Sequence, residues 1–314
     1  MSMHFSQIAE QAIADGAIGA EDILALRRAG WADGKIEPHE ADAIFELNHR
    51  LAHPGPEWTD FFVEAIVEYV INQLEPRGYV TDDNAAWLKA HLDRDGHLHA
   101  MSELELLVRV FEKALSVPEA LRDFALAEVE EAILTGAGPT RCGGHLESGN
   151  VTEAEARILR RILFSSGGDR PAGISRREAE ALFRIKDATL HAANAPEWKR
   201  LFVQGVGNYL QGFAGQAPLS RDRAAQLEGF MNDHRSSVGG FLARTARSIG
   251  TPNRMGVVFG RKQPGPALEC LVDRAREVTH DEKTWLDAMI DANGHVDEYD
   301  DALLEFLAED GFAR

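Results

Sequence analysis

Cysteine is almost missing: Cys142 and Cys270 are the two in 314 residues, too few for the disulfide framework that staples small secreted domains. The start, Met1-Ser2-Met3-His4-Phe5, has neither the basic nor the apolar region of a secretory leader, so a cytoplasmic location is expected. No apolar run approaches the roughly 20 residues of a membrane span. Acids interrupt even the richest stretch, Phe61 to Leu74, and direct membrane insertion is not expected. Basic residues are outnumbered, 33 Lys and Arg against 51 Asp and Glu, and the net charge of -18 argues against nucleic acid or anionic lipid as a partner. A cationic partner or ion suits it better. The phosphate-binding loop, the dinucleotide glycine fingerprint, His-Glu-x-x-His and Gly-x-Ser-x-Gly are all absent, which removes the marks of the common enzyme classes. Cys142-Gly-Gly-His145 has no second Cys or His nearby to complete a zinc site or a triad, and reads as an interdomain loop.

Period-two alternation is also scarce, and only Met255 to Phe259 resembles a short strand. What is present is helical spacing. Phe61, Phe62, Ala65, Ile66, Tyr69, Val70 and Leu74 fall on one stripe, the pattern of a helix with one buried face. Starts are marked by Pro38 after Glu37, Thr81, Ser102 before Glu103, Pro118, Thr152, Ser175 and Ser220. The expected fold is all-α.

The chain also repeats itself. Ile36 to Phe45 aligns without gaps to Ile174 to Phe183, Pro56-Glu57-Trp58 to Pro196-Glu197-Trp198, Tyr69 to Tyr209, and Leu26-Arg27-Arg28 to Leu159-Arg160-Arg161. The two Trp and two Tyr read as duplicated core anchors. A second similarity links Trp87 through Leu98 with Trp285 through Val296. The expected organisation is a duplicated helical-bundle domain, 1–138 and 148–250, then a basic linker, 251–267, and an acidic C-terminal half repeat, 268–314.

Three turns, Asp33-Gly34-Lys35-Ile36, Asp95-Gly96-His97-Leu98 and Asn293-Gly294-His295-Val296, resemble the centre of an EF-hand loop, where glycine turns the chain and flanking acids bind Ca²⁺. With glycine as the sixth position, Ala29, His91 and Met289 stand where the first acid belongs. Ser102 and Asp300 replace the closing glutamate, and Glu40 alone keeps it. Candidate oxygen donors for Ca²⁺ or Mg²⁺ are Asp93 with Asp95 and Asp291 with Asn293, and His91, His97 and His99 widen the choice to a transition metal. The competing account makes each turn a glycine-terminated helix end whose aliphatic residue pins the loop. It makes Glu40 and Glu178 carboxylates that favour a helix N-terminus.

Ala32-Asp33-Gly34-Lys35-Ile36 followed by Glu40-Ala41, with the second copy's Ile174 and Glu178, resembles the tellurite-resistance TerB-like family of small all-helical domains. The resemblance covers about residues 20 to 70 and 155 to 210. It implies an acidic metal-binding tendency at Asp33, Glu37 and Glu40, and a role in stress responses or metal-sensing complexes rather than a defined reaction. The second copy, Arg170-Pro171-Ala172-Gly173-Ile174, has lost the acid before glycine.

Residues 281–310 hold eleven acids against Lys283, whereas 234–268 hold six basic residues and no acid. Arg244, Arg247, Arg254 and Arg261 are therefore read as a salt-sensitive latch or partner-binding segment. The expected function is a cytoplasmic, non-enzymatic helical scaffold or regulator that is stress- or metal-ion-responsive and binds a protein partner. The alternative is an enzyme or small-molecule-binding protein with its pocket between the two repeats.

Overall fold

The apolar spacing resolves into eleven α-helices in the computed structural model, which describes residues 7–8, 18–30, 35–51, 55–93, 97–141, 148–165, 173–210 and 280–309. They are α1 (Ala20–Gly30), α2 (Pro38–Arg50), α3 (Pro56–Val67), α4 (Asp82–Leu92), α5 (Met101–Lys113), α6 (Glu119–Thr135), α7 (Glu153–Leu163), α8 (Arg176–Thr189), α9 (Pro196–Leu210), α10 (His280–Asp291) and α11 (Glu298–Glu309). Among the described residues there is no strand, only a bridge between Tyr79 and Ser116. The fold is all-α. The strand-like stretch Met255 to Phe259, the start at Ser220 and the whole of 211–279 lie outside the described residues.

The chain divides into two compact units, Met1–Pro171 with Asp187–Ala195, and Ala172–Lys186 with Pro196–Arg314. In the first, α3 is the central helix and packs on α1, α2 and α5. It continues into a π-helical turn, Glu68–Gln73, where the Leu74 N–H donates to the Tyr69 carbonyl at 3.1 Å. That turn delivers the Gln73 amide oxygen to the Ile36 N–H at 2.8 Å. Helices α6 and α7 pack on α5. The repeat alignment groups α7 with the second copy, yet α7 belongs to the first unit. Its buried stripe of Ile158, Leu159 and Ile162 faces that core, and the Arg161 guanidinium grips Glu105 (2.6 and 2.9 Å) and Glu112 (2.7 and 3.1 Å) on α5. Burial alone would lower the Arg161 pKa, but the two carboxylates raise it above its ordinary value.

In the second unit α9 packs against α11. Glycine permits the approach: a Cβ at Gly207 would stand 2.5 Å from the Phe306 ring.

The helix starts obey sequence chemistry. Thr81, Thr152 and Ser175 each accept a backbone N–H through the side-chain hydroxyl, from Asn84 (3.2 Å), Glu155 (3.2 Å) and Glu178 (3.3 Å). Ser102 does not cap. Helix α5 begins two residues earlier, at Met101 behind Ala100, because Glu103 supplies the acceptor, and the Ser102 hydroxyl turns inward to Asn48 Oδ1 at 3.2 Å.

Candidate functional site

Carboxylates dominate this chain, so the use of the buried ones bears directly on function. Seven are buried among the described residues: Glu40, Glu103, Glu128, Glu155, Glu178, Asp297 and Asp300. Six sit at a helix start. Glu40 accepts the Glu37 N–H (3.0 Å), Glu103 those of His99 and Ala100 (2.8 and 3.1 Å), and Glu155 that of Thr152 (2.9 Å). Glu178 accepts from Ser175 (2.7 Å), Asp300 from Asp297 (3.1 Å), and Asp297 from Tyr299 and Asp300 (2.8 and 3.1 Å). Each carboxylate satisfies N–H groups that no helical carbonyl can reach, at the positive end of the helix dipole. Glu155 also takes a bidentate pair from the buried Arg141 at 2.6 and 2.8 Å.

The second unit has a charged core. Lys186 on α8 has no solvent exposure, and its Nζ donates to Asp297 at 2.7 Å and Asp300 at 3.0 Å while lying 5.3 Å from the centre of the Phe183 ring. Burial pushes the Asp300 pKa up. For Asp297 the Lys186 ammonium and the backbone N–H groups outweigh burial and hold it below the ordinary aspartate value. Continuing the internal alignment, Lys186 stands at the place of Asn48 and Asp300 at that of Ser102. In the first unit this pair is neutral, and Asn48 Oδ1 also accepts the indole N–H of Trp58 at 3.1 Å. Lysine offers no acceptor. The indole N–H of Trp198, fully buried, accordingly has no partner among the described residues.

The aromatic residues around these pairs adopt one arrangement in both units. Phe45 meets Phe62 at 5.4 Å and Trp87 at 5.7 Å, both edge to face, with Tyr69 5.4 Å from Trp87. Phe183 meets Phe202 at 5.1 Å and Trp285 at 5.8 Å, both edge to face, with Tyr209 4.8 Å from Trp285. Helix α10 thus contributes Trp285 to the second unit, with ring neighbours that correspond to those of Trp87 in the first.

A third cluster was not legible as such. His97 Nδ1 lies 3.4 Å from Glu128 Oε1 and 3.4 Å from Glu131 Oε2, both on α6, and the three ligand atoms lie within 4.8 Å of one another. The predicted oxygen donors are placed differently. Asp33 and Asp95 lie outside the described residues, as do Arg244, Arg247, Arg254 and Arg261. Glu37 precedes α2 and Glu40 caps it; Asp93 ends α4 with its carboxylate 3.7 Å from Lys89 Nζ. Asp291 is exposed, and its carbonyl accepts the N–H of Gly294, whose φ of 82° is the left-handed value that glycine tolerates best. The Asn293 side chain donates to Asp297 at 3.1 Å and accepts from the His295 N–H at 3.2 Å. The pinning role expected of the aliphatic residue holds for Ile36 and Leu98, which are buried, but Val296 is 54% exposed. Leu98 is held by Glu128 of α6, which accepts its N–H at 2.7 Å.

No family model, no curated protein and no solved structure matches this chain.

Proposed function

We propose that the protein is a non-enzymatic helical scaffold or regulator, responsive to a divalent ion, that binds a basic protein partner on its C-terminal helices. The observation that carries this reading is the assignment of six of the seven buried carboxylates to helix starts. Acid–base and nucleophilic catalysis need a titratable group aimed at a substrate, and these groups are already held by backbone N–H donors. The partner surface is argued from charge. Asp281, Asp287, Asp291, Glu298, Asp301 and Glu305 are exposed on α10 and α11 beside the exposed apolar Val296 and Leu304. Such a face favours a polypeptide that brings arginines and an aliphatic side chain. Candidates are the basic segment 234–268 of the chain itself and an external protein of the same character. The TerB-like resemblance of the two turn regions supports a regulatory rather than a catalytic role.

Two experiments test this. A broad hydrolase and transferase screen of the purified chain should be blank; turnover lost on mutating a small residue set would end the reading. The triple variant Asp287→Lys, Asp291→Lys, Glu305→Lys should abolish binding of a synthetic 234–268 peptide that the unmodified chain binds more weakly as salt rises. Unchanged binding would remove the proposed surface.

A further inference from the structure

The seventh buried carboxylate is the exception. Glu128 lies in the middle of α6, far from any helix start, and is 6% exposed. One of its oxygens accepts the Leu98 N–H at 2.7 Å and the other faces His97. No Lys or Arg among the described residues is paired with it. A buried carboxylate away from a helix N-terminus calls for a cation, and the half-exposed Glu131 brings a second carboxylate to the same imidazole. We propose that His97, Glu128 and Glu131 form a binding site for a divalent transition metal of the zinc class.

The geometry and chemistry agree. Ligand bonds of about 2.0–2.2 Å in a tetrahedron place ligand atoms about 3.3–3.6 Å apart; the imidazole nitrogen stands 3.4 Å from each carboxylate oxygen, and the three ligand atoms all lie within 4.8 Å of one another. A direct N–H···O bond would draw them closer, to about 2.7–3.2 Å. Two glutamates at i and i+3 project from the same face of α6, and the Leu98 N–H fixes the orientation of one of them as an outer-sphere hydrogen bond does at metal sites. With three protein ligands, one at a half-exposed imidazole, the fourth position is open to water. Nitrogen among so few ligands favours zinc-class ions over Ca²⁺, which takes six to eight oxygens. This deepens the ion-responsive part of the proposed function and rests on it there alone; the peptide-binding experiment and the metal experiment fail separately.

The test is titration of the full chain, freed of metal, with Zn²⁺ by calorimetry, and with Co²⁺ read by visible absorption. One ion per chain and the intense bands of tetrahedral Co²⁺ are expected. His97→Ala and Glu131→Gln change half-exposed side chains, and Glu128→Gln keeps an oxygen for Leu98. Each should weaken Zn²⁺ binding about tenfold or more with helical circular dichroism unchanged. No uptake by the unmodified chain, tighter binding of Ca²⁺ than of Zn²⁺, or unchanged affinity in the His97→Ala, Glu131→Gln double variant would each overturn the site.

Discussion

Lys186 and Asn48 stand at aligned places on α8 and α2, and each decides how a buried tryptophan is treated. Asn48 accepts the Trp58 indole N–H and the Ser102 hydroxyl; Lys186 binds two aspartates and leaves Trp198 without an acceptor. Replacing Lys186 by Met removes the cation from two buried carboxylates, a loss of about 3–5 kcal/mol. Lys186→Asn with Asp300→Ser copies the neutral pair and restores an acceptor for Trp198, so the double variant should be more stable than Lys186→Asn alone. A double-mutant cycle in urea measures this; additive losses would contradict it. The pH dependence follows from the two aspartates. The lowered Asp297 contributes stability that is complete above the ordinary aspartate value and is lost as pH falls through its lower folded value. The raised Asp300 has the opposite sign, favouring the fold below the ordinary value and losing that contribution as pH rises through its higher one. The two contributions act on opposite sides of the ordinary aspartate value, so thermal melts of the second unit should be highest near that value and fall both as pH drops below it and as pH rises through the raised Asp300 value. A melting temperature that rises steadily with pH across that whole interval would contradict the assignment.

At the scale of the element, helix starts were the most legible feature. Thr81, Thr152 and Ser175 were identifiable because a hydroxyl before an acidic first turn has one obvious use. Ser102 misled because Glu103 caps from inside the helix, behind an alanine whose side chain has no acceptor. Thr152→Ala should cost about 1 kcal/mol, whereas Ser102→Ala removes a buried bond to Asn48 and no cap. The aromatic spacing and the Trp87–Trp285 similarity were legible too. Glu128 and Glu131 were not, since nothing local separates two acids on a helix from solvated ones; their meaning comes from His97, 30 or more residues away. The approach of α11 to α9 also depends on a residue with no side chain. Gly207→Ala places a methyl group against the Phe306 ring and should destabilise the second unit by about 1–3 kcal/mol. Phe306→Leu in the same chain should recover part of that loss, and chemical denaturation checks both.

Over the whole molecule, which carries a net charge of -18, two uses of acidic residues recur: buried acids that begin helices, and exposed acids of α10 and α11 that form the proposed partner surface. Arg141→Met should expose how strongly the first unit relies on one compensated acid, losing about 3–5 kcal/mol as Glu155 is left without its guanidinium; near-neutral melts would refute that dependence. The central claim is that this is an ion-responsive scaffold and not an enzyme or metabolite carrier. Native mass spectrometry of the purified chain tests it most directly, since one spectrum reports bound ions and organic ligands together. After incubation with Zn²⁺, the expected spectrum is the polypeptide mass plus one zinc, with no organic adduct in the untreated protein. A stoichiometric small-molecule adduct surviving purification, with or without metal, would contradict the account.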